Sequence, residues 1–297
     1  MQAADRPRFV EWLGASEAPA QDWDVLLGGK GASLERLLRM GAPTPPGFCL
    51  TTEAFRHHLQ TGSHATEASA AISALPAHHA RQTLTRLLTG APIPDRLAVD
   101  LNTGLERLAV AHGGTKARFA VRSSALGEDG GAASFAGIHE TELQLAPGEV
   151  PPAIRRCWAS LWSDRALEYR VARGLPMDGA MAVVVQVLIP ADAAAVVFTR
   201  HPVTRRGDQM LVNAVCGLGE ALVSGTVTPD EIVVDKATLR TTAFVPGQAE
   251  TVLDDQQLRE LVVISLGLEE KFGRPIDIEA AHAGGQWHIL QARPITV

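Results

Sequence analysis

Four side chains near the end of the chain have the types and spacing that chemistry would need. Asp277 and Glu279 lie two apart in one apolar-alternating run, and Gln291 and Arg293 lie two apart in the next. Side chains two apart on a strand share a face, and Gly284-Gly285 between the runs reads as a hairpin turn. Ile276, Ile278, Ile289 and Leu290 supply the apolar anchors. Two carboxylates, an amide oxygen and a guanidinium suit a hard cation such as Mg²⁺ and the phosphates it carries. The competing reading of the same residues is an ordinary hairpin with a polar outer face.

Basic groups elsewhere could meet the same phosphates. Gly28-Gly29-Lys30-Gly31-Ala32-Ser33 precedes a helical run with Leu34, Leu37 and Leu38 on one side, closed by Gly41 and Pro43. Glycines before a helix allow close backbone approach to an anion, and Lys30 adds a mobile positive charge. The GxxxxGK[ST] spacing of a Walker A loop is absent, and tight glycine turns without phosphate are common. Ala117 to Ala125 reads as a strand that delivers Arg122 beside Ser123 and Ser124, followed by a glycine-rich stretch from Leu126 to Gly137. A strand with an arginine ahead of such a flap suits covering a polyphosphate; an acidic surface loop with Arg122 in a structural ion pair is the alternative. Gln186 is the polar member of an apolar run and needs a partner when buried. An adenine edge or a neighbouring backbone group would serve. Cys216-Gly217-Leu218-Gly219-Glu220 lacks the third glycine of a dinucleotide fingerprint and carries little weight alone.

The elements that must position these groups follow from periodicity. Residues 1–27 read as a strand and loops, and 52–112 as mostly helical, with His64 in an exposed loop. From Pro151 a helix places Ile154, Cys157, Trp158, Leu161 and Trp162 on one core stripe. Met181–Ile189 and Ala193–Thr199 predict two apolar strands, joined as a buried hairpin through Pro190-Ala191-Asp192. A strand at Leu211–Val215, followed by Cys216–Gly225 and Pro229–Lys236, and then an amphipathic helix over 254–272 lead into the closing hairpin.

Composition narrows the class. The 297 residues are 46% hydrophobic and 20% charged with net charge −6, which speaks for a soluble globular protein and against a nucleic-acid partner. Cys49, Cys157 and Cys216 form no CxxC pair and read as reduced thiols of a cytoplasmic protein. The N-terminus has no apolar signal core, and Gln186, Pro190 and Asp192 interrupt the most apolar stretch, so no membrane span is expected.

Taken in order, six motifs resemble a known family: Gly28-Gly-Lys-Gly-Ala-Ser-Leu34, Ala120-Val-Arg-Ser-Ser-Ala125, Ala133-Ser-Phe-Ala-Gly137, Phe198-Thr-Arg-His-Pro-Val-Thr204, Gly217-Leu-Gly-Glu-Ala-Leu-Val-Ser-Gly225, and Asp277-Ile-Glu279 with Leu290-Gln-Ala-Arg-Pro294. They are similar to the ATP-binding domain of phosphoenolpyruvate synthase, pyruvate phosphate dikinase and rifampin phosphotransferase. The resemblance implies an α+β, two-lobed ATP-grasp fold with mixed and antiparallel sheets, the N-terminal lobe at 1–185 and the C-terminal lobe at 186–297. It implies ATP and Mg²⁺ as cofactors. Lys30 and Arg122 would hold phosphates, Gly137 and Thr141 would belong to the covering flap, and Gln186 would sit near the adenine. Glu279 and Gln291 would ligate Mg²⁺, and Arg293 would stabilise charge on the transferring phosphoryl; Lys30, Arg122 and Arg293 are thus the catalytic candidates. Departures are Ile138 in the flap, Arg205 where the family usually has glycine, and Ala280-Ala281 where tryptophan often follows. The family's swivelling histidine, in a Gly-Gly-x-x-Ser-His setting, is not among the ten histidines here. The expectation is a phosphotransferase component that passes a phosphoryl group to a histidine on a partner chain or missing domain. The alternatives are a stand-alone kinase acting on a small-molecule acceptor, and an ATP-sensing binding module.

Overall fold

A computed structural model of the chain describes residues 7–126, 141–223, 225–247 and 251–295. The chain divides into two compact units, one of residues 1–35 and 46–188, the other of 36–45 and 189–297.

The first unit is built on a five-stranded sheet, in the order β1 (Val10–Trp12), β2 (Gly47–Leu50), β5 (Met181–Val187), β3 (Phe119–Ala125) and β4 (Thr141–Leu145). Helices α2 (Thr52–Gln60), α3 (Ala65–Ser73), α4 (His78–Gly90), α5 (Asp95–Ala111), α6 (Val150–Ser160) and α7 (Asp164–Arg173) fall between these strands in sequence. One face of the sheet, carrying Phe48, Leu50, Phe119, Val121, Val183 and Val185, shares a core with Phe55, Leu84, Trp158 and Trp162. Trp158 and Trp162 are fully buried, as the helical stripe predicts. His64 is half-buried rather than exposed, because its Nε2 lies 2.9 Å from the His58 carbonyl oxygen.

The second unit carries a six-stranded sheet in the order β11 (Gln286–Pro294), β10 (Ile276–Ala283), β6 (Ala193–Phe198), β7 (Gln209–Cys216), β8 (Asp230–Asp235) and β9 (Arg240–Val245). Helix α9 (Asp255–Phe272) opens with a capping box in which Asp254 accepts from the Gln257 N–H and Gln257 accepts from the Asp254 N–H. The Trp287 indole N–H donates to the Gln257 carbonyl at 2.9 Å, which ties this helix to the closing hairpin. A short helix, α8 (Glu220–Val223), follows β7.

The α+β class is as expected. Every pairing among the described residues is antiparallel, so the mixed sheet foreseen beside it is not found there. The hairpin expected of β5 and β6 is not formed either. β5 lies between β2 and β3 in one sheet, and β6 between β10 and β7 in the other. Each is an interior strand, and that accounts for two near-continuous apolar runs without a shared turn. Among the described residues, no helix is long and apolar enough to cross a membrane.

One titratable group is built into the helical core. His58 is fully buried and stacks on Trp158 with ring centroids 5.1 Å apart. Burial, with the positive charge of His64 and Arg155 adding to it, pushes the imidazole down to about 4. The unfolded chain, with an ordinary histidine value of about 6.5, therefore binds more protons between those two values. Stability is complete above about pH 6.5 and is lost as pH falls to about 4, by on the order of 3 kcal/mol. Denaturant unfolding at pH 7 and pH 4 should show this loss in the parent protein and not in His58→Phe; parallel pH profiles would contradict it.

Candidate functional site

The hairpin of β10 and β11 turns through Gly284 and Gly285, with φ +58° and +77°. That left-handed pair gives the two-residue turn whose twist matches the strands. The register sets Asp277 directly opposite Arg293, and Glu279 directly opposite Gln291. Opposed residues of an antiparallel pair share a face, so the four predicted side chains do come together. Arg293 Nε donates to both oxygens of Asp277, at 3.0 and 2.8 Å. With Arg293 about a third exposed, this pair contributes little to stability, ~1 kcal/mol or less. Its effect is to orient the guanidinium plane beside Glu279 and Gln291.

A bulge makes this face possible. The register shifts between Glu279 and Ala280, where Glu279 pairs with Gln291 but Ala280 pairs with Ile289. Leu290 is the extra residue. In strict alternation Ile289 and Gln291 would share a face; with Leu290 bulged out, Ile289 and Trp287 join Ile278, Ala280 and His282 on the buried side. Gln291 and Arg293 are left beside the carboxylates. Leu290 is half-buried, not the core anchor that the apolar count suggests.

The face continues across the sheet. Glu279 opposes Val196 on β6, Val196 opposes Asn213 on β7, and Asn213 opposes Glu231 on β8. Val196 and Asn213 are half-buried, whereas Val197 and Val212 beside them are fully buried on the other face. Asn213 Oδ1 is a buried acceptor without a hydrogen-bond partner. A buried amide oxygen of this kind ordinarily finds a donor. Sequence reading passed over Asn213, although a lone amide inside Leu211-Val-Asn-Ala-Val is the same signal that drew notice to Gln186.

Among the described residues no three His, Cys, Asp or Glu side chains cluster as a metal cage. Mg²⁺ does not need one, since it keeps several waters and binds through one or two protein oxygens plus phosphate. The opposed carboxylate of Glu279 and amide of Gln291 fit that sparse demand.

In the first unit, the predicted residues gather on the sheet face opposite the helical core. Gln186 is flanked by Gly47 and Ala120, and Arg122 by Val184 and Thr141. Gln186, Val184, Ala120, Arg122 and Ser124 therefore share one face. Arg122 is the one half-buried residue of β3, and Gln186 is almost fully buried. Gly47 makes room for it: a Cβ there would stand 2.7 Å from Gln186 Cγ and 2.4 Å from the Val185 carbonyl oxygen.

Lys30 lies on α1 (Trp23–Arg39), not in a loop before it. This helix is broken by Gly28 alone, with φ 68° and ψ 179°, so Gly29 and Gly31 are already helical. The expectation of a glycine loop over 28–33 is corrected accordingly. Gly137, the predicted flap residue, lies outside the described residues.

The bulge gives a direct test. Deleting Leu290 removes the extra residue and leaves Gln291 and Arg293 opposite Glu279 and Asp277, whereas in an unbulged strand the same deletion would turn both toward the apolar side at a cost on the order of several kcal/mol. Thermal unfolding of the deletion variant and of Leu290→Ala should both stay close to the parent; a loss on the order of several kcal/mol in the deletion variant would rule out this register.

The comparisons with known proteins converge. Residues 25–247 match the family described as pyruvate phosphate dikinase, AMP/ATP-binding domain. A probable phosphoenolpyruvate synthase of Methanocaldococcus jannaschii is 34% identical over 98% of this chain and 27% of its own length. A rifampicin phosphotransferase of a Streptomyces species is 38% identical over 91% of this chain and 34% of its own length. The prodigiosin synthesizing transferase PigC of Serratia marcescens is 34% identical over 91% of this chain and 31% of its own. The chain thus spans about a third of the length of these relatives. The family match covers well over half of the sequence, and this chain belongs to the pyruvate phosphate dikinase AMP/ATP-binding domain family.

Proposed function

We propose that this chain is the ATP-binding component of an Mg²⁺-dependent phosphotransferase, of the ATP-grasp type. The observation that carries the reading is the second unit's hairpin face, where Glu279 faces Gln291 and the Asp277-held Arg293 stands beside them. Family membership supports ATP as the ligand, and the names of the relatives support phosphoryl transfer as the chemistry.

In this reading the predicted residues keep the roles that the family resemblance implies. Lys30 and Arg122 meet phosphate oxygens, with Thr141, opposite Arg122, and Gly137 contributing from the covering segment; Gln186 reads the adenine edge. Glu279 and Gln291 hold Mg²⁺. When bound, the cation draws charge from the phosphate oxygens and fixes their geometry. Arg293, oriented through its Nε by Asp277, meets charge that builds on the transferring group. Phosphoryl transfer depends mainly on such positioning and charge neutralisation, which agrees with a set of lysine, arginines and oxygen ligands and no protein nucleophile. The group would then pass to a histidine carried on a separate partner or another domain, and from there to a small-molecule acceptor.

Glu279→Gln tests the reading. It keeps the side-chain shape but removes the charge that a hard cation prefers. Mg²⁺-dependent ATP affinity, measured by calorimetry with and without chelator, should fall by at least the roughly 10–100-fold typical of disturbing a metal's outer partners. Its unfolding temperature should stay close to the parent's. Unchanged affinity and unchanged ATP turnover to AMP, ADP or phosphate would place the cation elsewhere.

A further inference from the structure

Gly28 interrupts the helical backbone of α1. Helix ends strand N–H and C=O groups that must be satisfied from outside. At this break one side chain from another strand meets both the Leu27 carbonyl and the Gly31 N–H, and the Cys49 thiol also donates to the Leu27 carbonyl, at 3.6 Å. Ser124 Oγ donates to the Leu27 carbonyl at 2.6 Å and accepts from the Gly31 N–H at 2.9 Å. Ser124 is fully buried, so water cannot take over either contact.

The local backbone is fitted to this hydroxyl. Gly28 has φ +68°, where side chains other than hydrogen are strained. A Cβ at Gly28 would lie 2.0 Å from the Ser124 carbonyl oxygen and 2.5 Å from its Oγ. A Cβ at Gly31 would lie 2.9 Å from Leu27 Cβ and 3.1 Å from Cys49 Sγ. The turn can approach β3 this closely only because position 28 is glycine; at Gly31 the crowding is with Leu27 and with Cys49 of β2. Lys30 sits between the two groups that Ser124 holds, one residue before Gly31. Arg122 is two residues before Ser124 on the same strand and the same face. One hydroxyl therefore joins the helix start that carries Lys30 to the strand that carries Arg122.

We propose that Ser124 is a positioning residue for ATP binding, a cap supplied from β3 that fixes Lys30 in register with Arg122. This rests on the reading that Lys30 contacts ATP phosphate. Ser124 does not touch the nucleotide in this account; it acts through the backbone from Leu27 to Gly31. Without the hydroxyl, the helix start can shift or fray, and Lys30 loses its fixed origin while keeping its charge.

A double-mutant cycle separates this role from plain stability. Mg-ATP affinity by calorimetry and the unfolding temperature are measured for the parent, Ser124→Ala, Lys30→Met and the double variant. Ser124→Ala should weaken ATP binding on the order of tenfold, the scale of one buried hydrogen bond. The double variant should bind ATP no more weakly than Lys30→Met, because Ser124 acts through Lys30, whereas the loss of unfolding temperature from Ser124→Ala should persist in both backgrounds. Ser124→Cys, close in volume with a weaker donor, serves in the same cycle if the alanine variant does not fold. Affinity losses that multiply in the double variant, or a Ser124 variant that binds ATP like the parent, would overturn the positioning role and leave Lys30's role intact. If Lys30→Met itself binds ATP like the parent, the Lys30 assignment fails, and the Ser124 inference with it.

Discussion

The register of one hairpin is the constraint on which the candidate site depends. Period-two alternation can put Asp277 and Glu279 on one face of β10 and apolar residues on the other. It cannot do the same for β11, where Ile289 and Gln291 are two apart and must face opposite ways. The extra residue Leu290 resolves that conflict by shifting the pairing between Glu279 and Ala280. Its result is a face with carboxylate opposite amide and carboxylate opposite guanidinium, backed by Ile276, Ile278, Ile289 and Trp287 on the buried side. A bulge placed beside functional side chains re-aims them without lengthening the sheet.

The first unit uses a comparable device on a helix. At the break beside Gly28, Ser124 bonds both the Leu27 carbonyl and the Gly31 N–H. In both units a local irregularity is met by a contact from another segment: Ser124 at the break, and at the bulge the Pro43 carbonyl, which accepts from the Ile289 N–H at 2.7 Å. In both, the irregularity lies next to a residue that the proposed function uses: Gln291 after the bulge, Lys30 after the break. The core is otherwise regular, with apolar faces of β2, β3 and β5 meeting Phe55, Trp158 and Trp162.

Much of this was legible in the sequence because it follows from period and residue type. The hairpin at Gly284-Gly285, the core stripe of α6, helix α9 and the half-buried Arg122 on an apolar strand all follow from local pattern. What was not legible depends on pairing over long separations. β5 and β6 read as a hairpin because both are apolar and adjacent in sequence, yet each has two other neighbours. Gly31 reads as a loop residue because glycine disfavours helix, but its close packing against Leu27 and Cys49 outweighs a propensity cost of about 1 kcal/mol. Asn213 escaped notice since its significance lies in standing across Val196 from Glu279, a relation that only the strand order creates.

The sharpest test is a crystal structure of the protein with Mn²⁺ and a non-hydrolysable ATP analogue, because manganese replaces magnesium and can be located by its anomalous scattering. Manganese should be found against Glu279 and Gln291, with the analogue's phosphates on it. Manganese and triphosphate bound to other side chains, with Glu279 and Gln291 touching neither, would contradict it.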